Sequence, residues 1–113
     1  MKRSVRASGV VVVFVTCPTL STARRLARHL VTRRLAACVN IIPRIESTFF
    51  WNGKIERTPE TLLIIKTTSA RGEALRRAVV TLHPYDTPEV LTLPVCAGHQ
   101  PYLQWVVTST SPA

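Results

Sequence analysis

The chain has little glycine, and what it has is scattered. Four glycines in 113 residues, at positions 9, 53, 72 and 98, cannot build the loop that cradles a phosphate. Acidic residues are also scarce. Six carboxylates are spread over the whole chain, and no spacing pairs two of them for acid–base work. Three cysteines, Cys17, Cys38 and Cys96, lie far apart, which excludes a zinc knuckle and argues against a disulfide framework. No apolar run approaches the eighteen or so residues a membrane helix needs. These absences leave a single globular domain with no enzyme signature, expected to be cytoplasmic and non-catalytic. Residues 1–8 read as a flexible basic tail and residues 9–110 as the domain. The short apolar run Val10–Val15 behind Lys2, Arg3 and Arg6 reads as a buried first strand rather than a leader.

What is abundant is arginine. The net charge is +9, and the basic residues are mostly arginine, which invites a nucleic-acid reading. Their placement argues against it. Arg24, Arg25 and Arg28 share the polar face of one amphipathic helix, whose other face carries Ala23, Leu26, Ala27, Leu30 and Val31. The strands that would have to present stacking aromatics read Val-Val-Val-Phe-Val and Leu-Leu-Ile-Ile. Neither nucleic acid nor membrane is expected as a partner.

Periodicity predicts a strand over 10–16, a helix to about Leu35, and a strand from Ala36 to Trp51 that breaks at Pro43. Asn52-Gly53 is a strong two-residue hairpin signal, because both positions tolerate positive φ. A return strand follows over 54–68, then a helix over 71–82, a strand over 90–95 and a short closing helix over 102–107. Counting back from the turn pairs Trp51 with Lys54, Glu46 with Pro59 and Pro43 with Leu62. The order is βαββαβ, an α+β ferredoxin-like sandwich with helices on one face of a mixed sheet, a long hairpin and a short C-terminal helix. The hairpin tip carries Phe49, Phe50, Trp51 and Ile55, more apolar surface than two strands can bury. It therefore predicts self-association through strand pairing, with Trp105 a further interface candidate.

The densest polar group is His83-Pro84-Tyr85-Asp86-Thr87-Pro88-Glu89, held on a stiff bend by two prolines. His83 is the leading ligand candidate, or equally a helix cap. With Glu89 and Cys17 it would suit a divalent transition metal, copper first by the affinity order. Cys17 sits between a strand and a helix start, where the dipole could favour a thiolate, or it is ordinary packing. Lys66, closing an apolar strand, needs a carboxylate or an anion if it points inward. Glu56, Tyr85, Asp86, Thr87 and Trp51 would line such a cleft.

The segments Arg34-Leu-Ala-Ala-Cys-Val-Asn-Ile-Ile-Pro43, Trp51-Asn-Gly-Lys-Ile-Glu56, Lys66-Thr-Thr68, His83 to Glu89, Leu93-Pro-Val95 and Tyr102-Leu-Gln-Trp105 together resemble the CutA family of divalent-cation tolerance proteins. The resemblance spans roughly residues 10 to 108. It implies a ferredoxin-like subunit in a homotrimer that shares hairpin strands, a link to copper and other divalent ions, and clefts between subunits near His83–Glu89 and Lys66. It also implies a likeness to the PII signalling proteins, so binding of a small anion in the cleft is the alternative. One departure stands out. Where some members have a cysteine ending the first strand and a His-His pair, this chain has Val15, and Leu82 before a single His83.

Overall fold

A computed structural model describes residues 9–112, so the basic tail expected over residues 1–8 lies outside the described residues. The elements run β1 (Val10–Cys17), α1 (Leu20–Thr32), β2 (Cys38–Trp51), β3 (Lys54–Thr68), α2 (Ser69–Leu82), β4 (Val90–Pro94) and α3 (Gln100–Ser109). The strands form one sheet in the order β2-β3-β1-β4, and every neighbouring pair is antiparallel. The mixed sheet expected from the sequence is thus corrected. Each helical crossover joins parallel strands, but a third strand lies between them: β3 separates β1 from β2, and β1 separates β3 from β4.

Alternation along β1 and β3 sends Val11, Val13, Val15 and Cys17, with Leu63 and Ile65, toward α1 and α2. There they meet Leu26, Leu30, Leu75 and Val79, all essentially solvent-free. Burying each such side chain contributes roughly 1.5–3 kcal/mol. Among the described residues the opposite face is covered only at one end, where α3 sets Leu103 and Val106 on Val10. Leu91 and Leu93 on β4, and Ile42 on β2, remain exposed.

Local signals fix the helix ends. Thr19 caps α1 by accepting from the Thr22 amide at 3.1 Å. Arg34 takes the left-handed conformation after α1, ending the helix earlier than its apolar period suggested. Asn52 and Gly53 both have positive φ at the hairpin turn. Behind the tip the ladder holds through Ile45↔Glu60, with Pro59 opposite Glu46. It then bulges: Pro43 and Arg44 both oppose Thr61, and Ile42 rather than Pro43 faces Leu62. Arg44, at φ 59, absorbs the extra residue. Pro59 is tolerated because β1 ends opposite Thr61, so β3 has only one neighbour beyond it.

Candidate functional site

Three element ends converge where β1 and β3 part. The Cys17↔Thr61 pair closes their ladder, leaving Glu60 just beyond it. α2 ends beside them because Pro84 disfavours a helical residue before it, and His83 turns extended at φ −74, ψ 140. Its amide still bonds Val79 O at 2.8 Å, closing the helix. Its ring reaches back across the sheet end.

Every polar atom of that ring is in use. His83 Nε2 donates to Thr16 O at 2.7 Å, and Nδ1 accepts the Tyr85 amide at 3.1 Å. A carbonyl only accepts and an amide only donates, so the ring is the neutral tautomer protonated at Nε2. The Tyr85 ring lies 4.8 Å from it between centroids, and the Tyr85 hydroxyl donates to Glu60 Oε2 at 2.8 Å. Burial first, then the hydrogen bond to the Glu60 carboxylate and its charge, and last the nearby Cys17, hold the proton on Tyr85, pushing it up to about 12. Cys17 has no exposed surface. Burial first, and the Glu60 charge second, push its thiol up to about 11, with Arg25 opposing weakly. Of the two readings open for Cys17, the structure favours ordinary packing over a dipole-stabilised thiolate: the apolar core outweighs the helix dipole there.

The other nominated residues lie elsewhere. The Asp86, Thr87 and Glu89 side chains are exposed, and none is hydrogen-bonded or ion-paired among the described residues, so Glu89 is not joined to His83. Lys66 sits five residues along β3 from Thr61 and points to the opposite face, roughly 17 Å away. Its ammonium donates to Asn40 Oδ1 and approaches Cys38 Sγ at 3.7 Å. Glu56 and Trp51 are exposed at the hairpin tip with Phe49, Phe50 and Ile55. Trp105 is half exposed on α3 and stacks against Tyr102 at 5.5 Å. Within one subunit the expected cleft residues therefore fall into three places.

Sequence reasoning missed Glu60. It is the carboxylate that follows Pro59 and borders the stretch 61–65, in which Thr61, Leu63 and Ile65 are buried. Cys96, although it follows the apolar stretch Leu93-Pro94-Val95, is exposed, as is His99.

Residues 11–109 match the family described as CutA1 divalent ion tolerance protein. The chain belongs to that family. It is 53% identical over 93 residues to human protein CutA, covering 82% of this chain and 52% of that protein, and 50% identical to a Xenopus laevis homologue, of which it spans 62%. The divalent-cation tolerance protein of Thermus thermophilus is 42% identical over 99 residues, covering 88% of this chain and 96% of its own length. Among solved structures, CutA1 from Oryza sativa superimposes with a TM-score of 0.89 at 44% identity, covering 92% of this chain and 95% of that one. CutA from Archaeoglobus fulgidus, described as periplasmic, gives 0.88 at 37% identity over 90% of this chain and 99% of its own.

The family's description, divalent ion tolerance, suggests metal involvement, but the donors of this subunit do not suit an ion. His83 has no free nitrogen, Cys17 keeps its proton and Glu89 stands apart. Among the described residues, no three His, Cys, Asp or Glu side chains gather to hold an ion. In the single subunit the Cys17–His83–Glu89 set does not fit a metal; His83, through its bonds to Thr16 and Tyr85 and the Tyr85–Glu60 bond, is instead a latch that ties α2 to the ends of β1 and β3.

Proposed function

We propose that this CutA-family chain acts in divalent-cation tolerance as a non-catalytic cytoplasmic homotrimer that binds copper or a similar divalent ion. The observation that carries the reading is apolar surface the single chain does not cover. Phe50, Trp51 and Ile55 are 69, 54 and 71% exposed at the hairpin tip, and Leu91 is 55% exposed on the β4 edge. A hairpin projecting that much apolar area is best completed by other copies of the chain. Family membership supports the metal half of the reading. Native mass spectrometry of wild-type and Phe50→Glu protein tests assembly. A trimer that Phe50→Glu splits into monomers supports it, and a wild-type monomer sinks it. Calorimetric titration of metal-free protein with copper(II) against a competing chelator tests the metal half, and the absence of tight binding sinks that.

One observation favours a second reading. The Lys66 ammonium is held by the neutral Asn40 side chain, and no carboxylate pairs with it among the described residues. Its charge is left for an anion, as a PII-like cleft would require. A panel of nucleotides and dicarboxylates titrated in chelator, with Lys66→Ala beside wild type, tests it; binding indifferent to Lys66 would exclude that site.

A further inference from the structure

At the end of the sheet away from the latch, β3 runs directly into α2. Thr68 is both the last residue of β3 and the N-cap of the helix, yet its side chain makes no capping bond. It is only 9% exposed, and its hydroxyl has no hydrogen-bond partner among the described residues. Thr68 stands opposite Val10 in the ladder, on the face where Val10 meets Leu103 and Val106, so its side chain points under α3. There a cavity of about 300 Å³ lies between the start of α2 and the end of α3, with Thr68 in its wall.

The α2 side of the cavity is electropositive. The Ser69 amide donates to Gly9 O at 2.9 Å. The next two amides, of Ala70 and Arg71, belong to the first helical turn, whose N–H groups have no intrahelical carbonyl to reach. That turn carries no acidic residue. Arg71 lines the cavity, held there by donating from Nε to Arg34 O at 3.3 Å and from Nη2 to Arg33 O at 3.5 Å. No carboxylate pairs with it among the described residues, and none lines the cavity. On the α3 side the terminal carbonyls are already occupied. Thr110 Oγ1 donates to Val106 O and Ser111 Oγ to Val107 O, both at 2.9 Å, and Arg34 Nη1 donates to Ser111 O at 3.4 Å.

We infer that this cavity binds a small oxyanion of the phosphate class. The inference goes beyond both readings above, because neither His83 nor Lys66 lines the cavity. A helix start supplies amide donors and the positive end of the macrodipole without the glycine-rich loop that this sequence lacks. Arg71 adds a full positive charge, and a phosphate oxygen gives the buried Thr68 hydroxyl the acceptor it otherwise has not got. The cavity is larger than one phosphate, so the organic part of a small phosphomonoester has room beside Val107 and Pro112.

The test titrates the full chain, in chelator and at constant ionic strength, with inorganic phosphate and with β-glycerophosphate, read by two-dimensional amide NMR and calorimetry. The Ala70 and Arg71 amide resonances should move and saturate. Thr68→Val keeps the side chain's shape and removes its hydroxyl; it should weaken binding about tenfold, and Arg71→Gln should weaken it by at least as much. Lys66→Ala should leave the affinity unchanged. Tighter binding of β-glycerophosphate would assign the cavity to a phosphomonoester, and equal affinity would assign it to the free ion. Amide resonances that stay still at millimolar phosphate, or binding that survives both substitutions, would overturn the inference. So would displacement of phosphate by chloride at equal concentration, which would report only general attraction to a chain of net charge +9. Binding lost in Lys66→Ala but kept in Arg71→Gln would move the anion to Lys66 and overturn this site alone.

Discussion

The chain holds two pairs of cysteine and histidine, and their surroundings make them different chemical objects. Cys17 and His83 lie where β1, β3 and α2 end together. One is sealed in the core with its thiol pushed up to about 11, and the other spends both ring nitrogens on Thr16 and Tyr85. Cys96 and His99 lie on an exposed loop, and their side chains have no partners among the described residues. Residue type nominates a donor, but burial and hydrogen bonding decide whether its lone pair is available. The first pair contributes to stability. The second is open to solvent. Substitutions that separate stability from side-chain accessibility are therefore the way to break the comparison.

The largest effect is expected from His83→Ala. It removes the bond to Thr16 O, strands the Tyr85 amide and leaves a hole beside the Tyr85 ring. Unfolding in denaturant at fixed protein concentration should show a loss of about 2–4 kcal/mol. A loss under about 0.5 kcal/mol, the range of ordinary surface changes, would mean the ring is not the latch described. Tyr85→Phe should cost less, about 1–3 kcal/mol, because it removes one donor from the buried Glu60 carboxylate and keeps the ring. Glu60→Gln with Tyr85→Phe, in a double-mutant cycle, would show whether the two act through one bond.

The split between the pairs was only half legible in the sequence. Periodicity and turn chemistry yielded the elements because hydrophobic alternation and Asn52-Gly53 act locally. A bulge or break at Pro43 was legible, but its exact residue was not, since the choice of Arg44 rather than Pro43 to absorb it depends on how β2 meets β3. His83 was visible as a polar residue after a helix and before proline, which places it but does not reveal what its nitrogens touch. Its partner Thr16 is 67 residues away, and Glu60 is 25 residues from Tyr85. Contacts of that span have no signature in spacing. Cys96 looked apolar because it follows Leu93-Pro94-Val95, yet β4 stops at Pro94 and the chain leaves the sheet before reaching it.

A smaller effect follows from the protons held at the latch. Cys17 rises from 9.0 to about 11 and Tyr85 from 10.0 to about 12, so both bind their protons more tightly folded than unfolded. Stability from a raised pKa is fully present below the unfolded value and is lost as the pH climbs through the folded one. The protein should therefore weaken progressively between about pH 9 and pH 12. A Cys17→Ala/Tyr85→Phe variant, though less stable at neutral pH, should show a shallower decline across that window. An unchanged slope would assign the alkaline loss to other groups.

The smallest expected effect is the most diagnostic of the contrast. Cys96→Ser/His99→Asn alters two exposed side chains that bond to nothing among the described residues, so the denaturation midpoint in chelator should stay within about 0.5 kcal/mol of wild type. The same thiols sort by alkylation. Under native conditions Cys96 should react first, the half-buried Cys38 more slowly, and Cys17 only on unfolding. If Cys96 is instead protected in the assembled protein, its loop is covered by a neighbouring copy and the two pairs differ less than the single subunit makes them. Exposed and reactive Cys96 beside a silent Cys17 means that burial alone has divided four similar side chains into a latch and a pair of open donors.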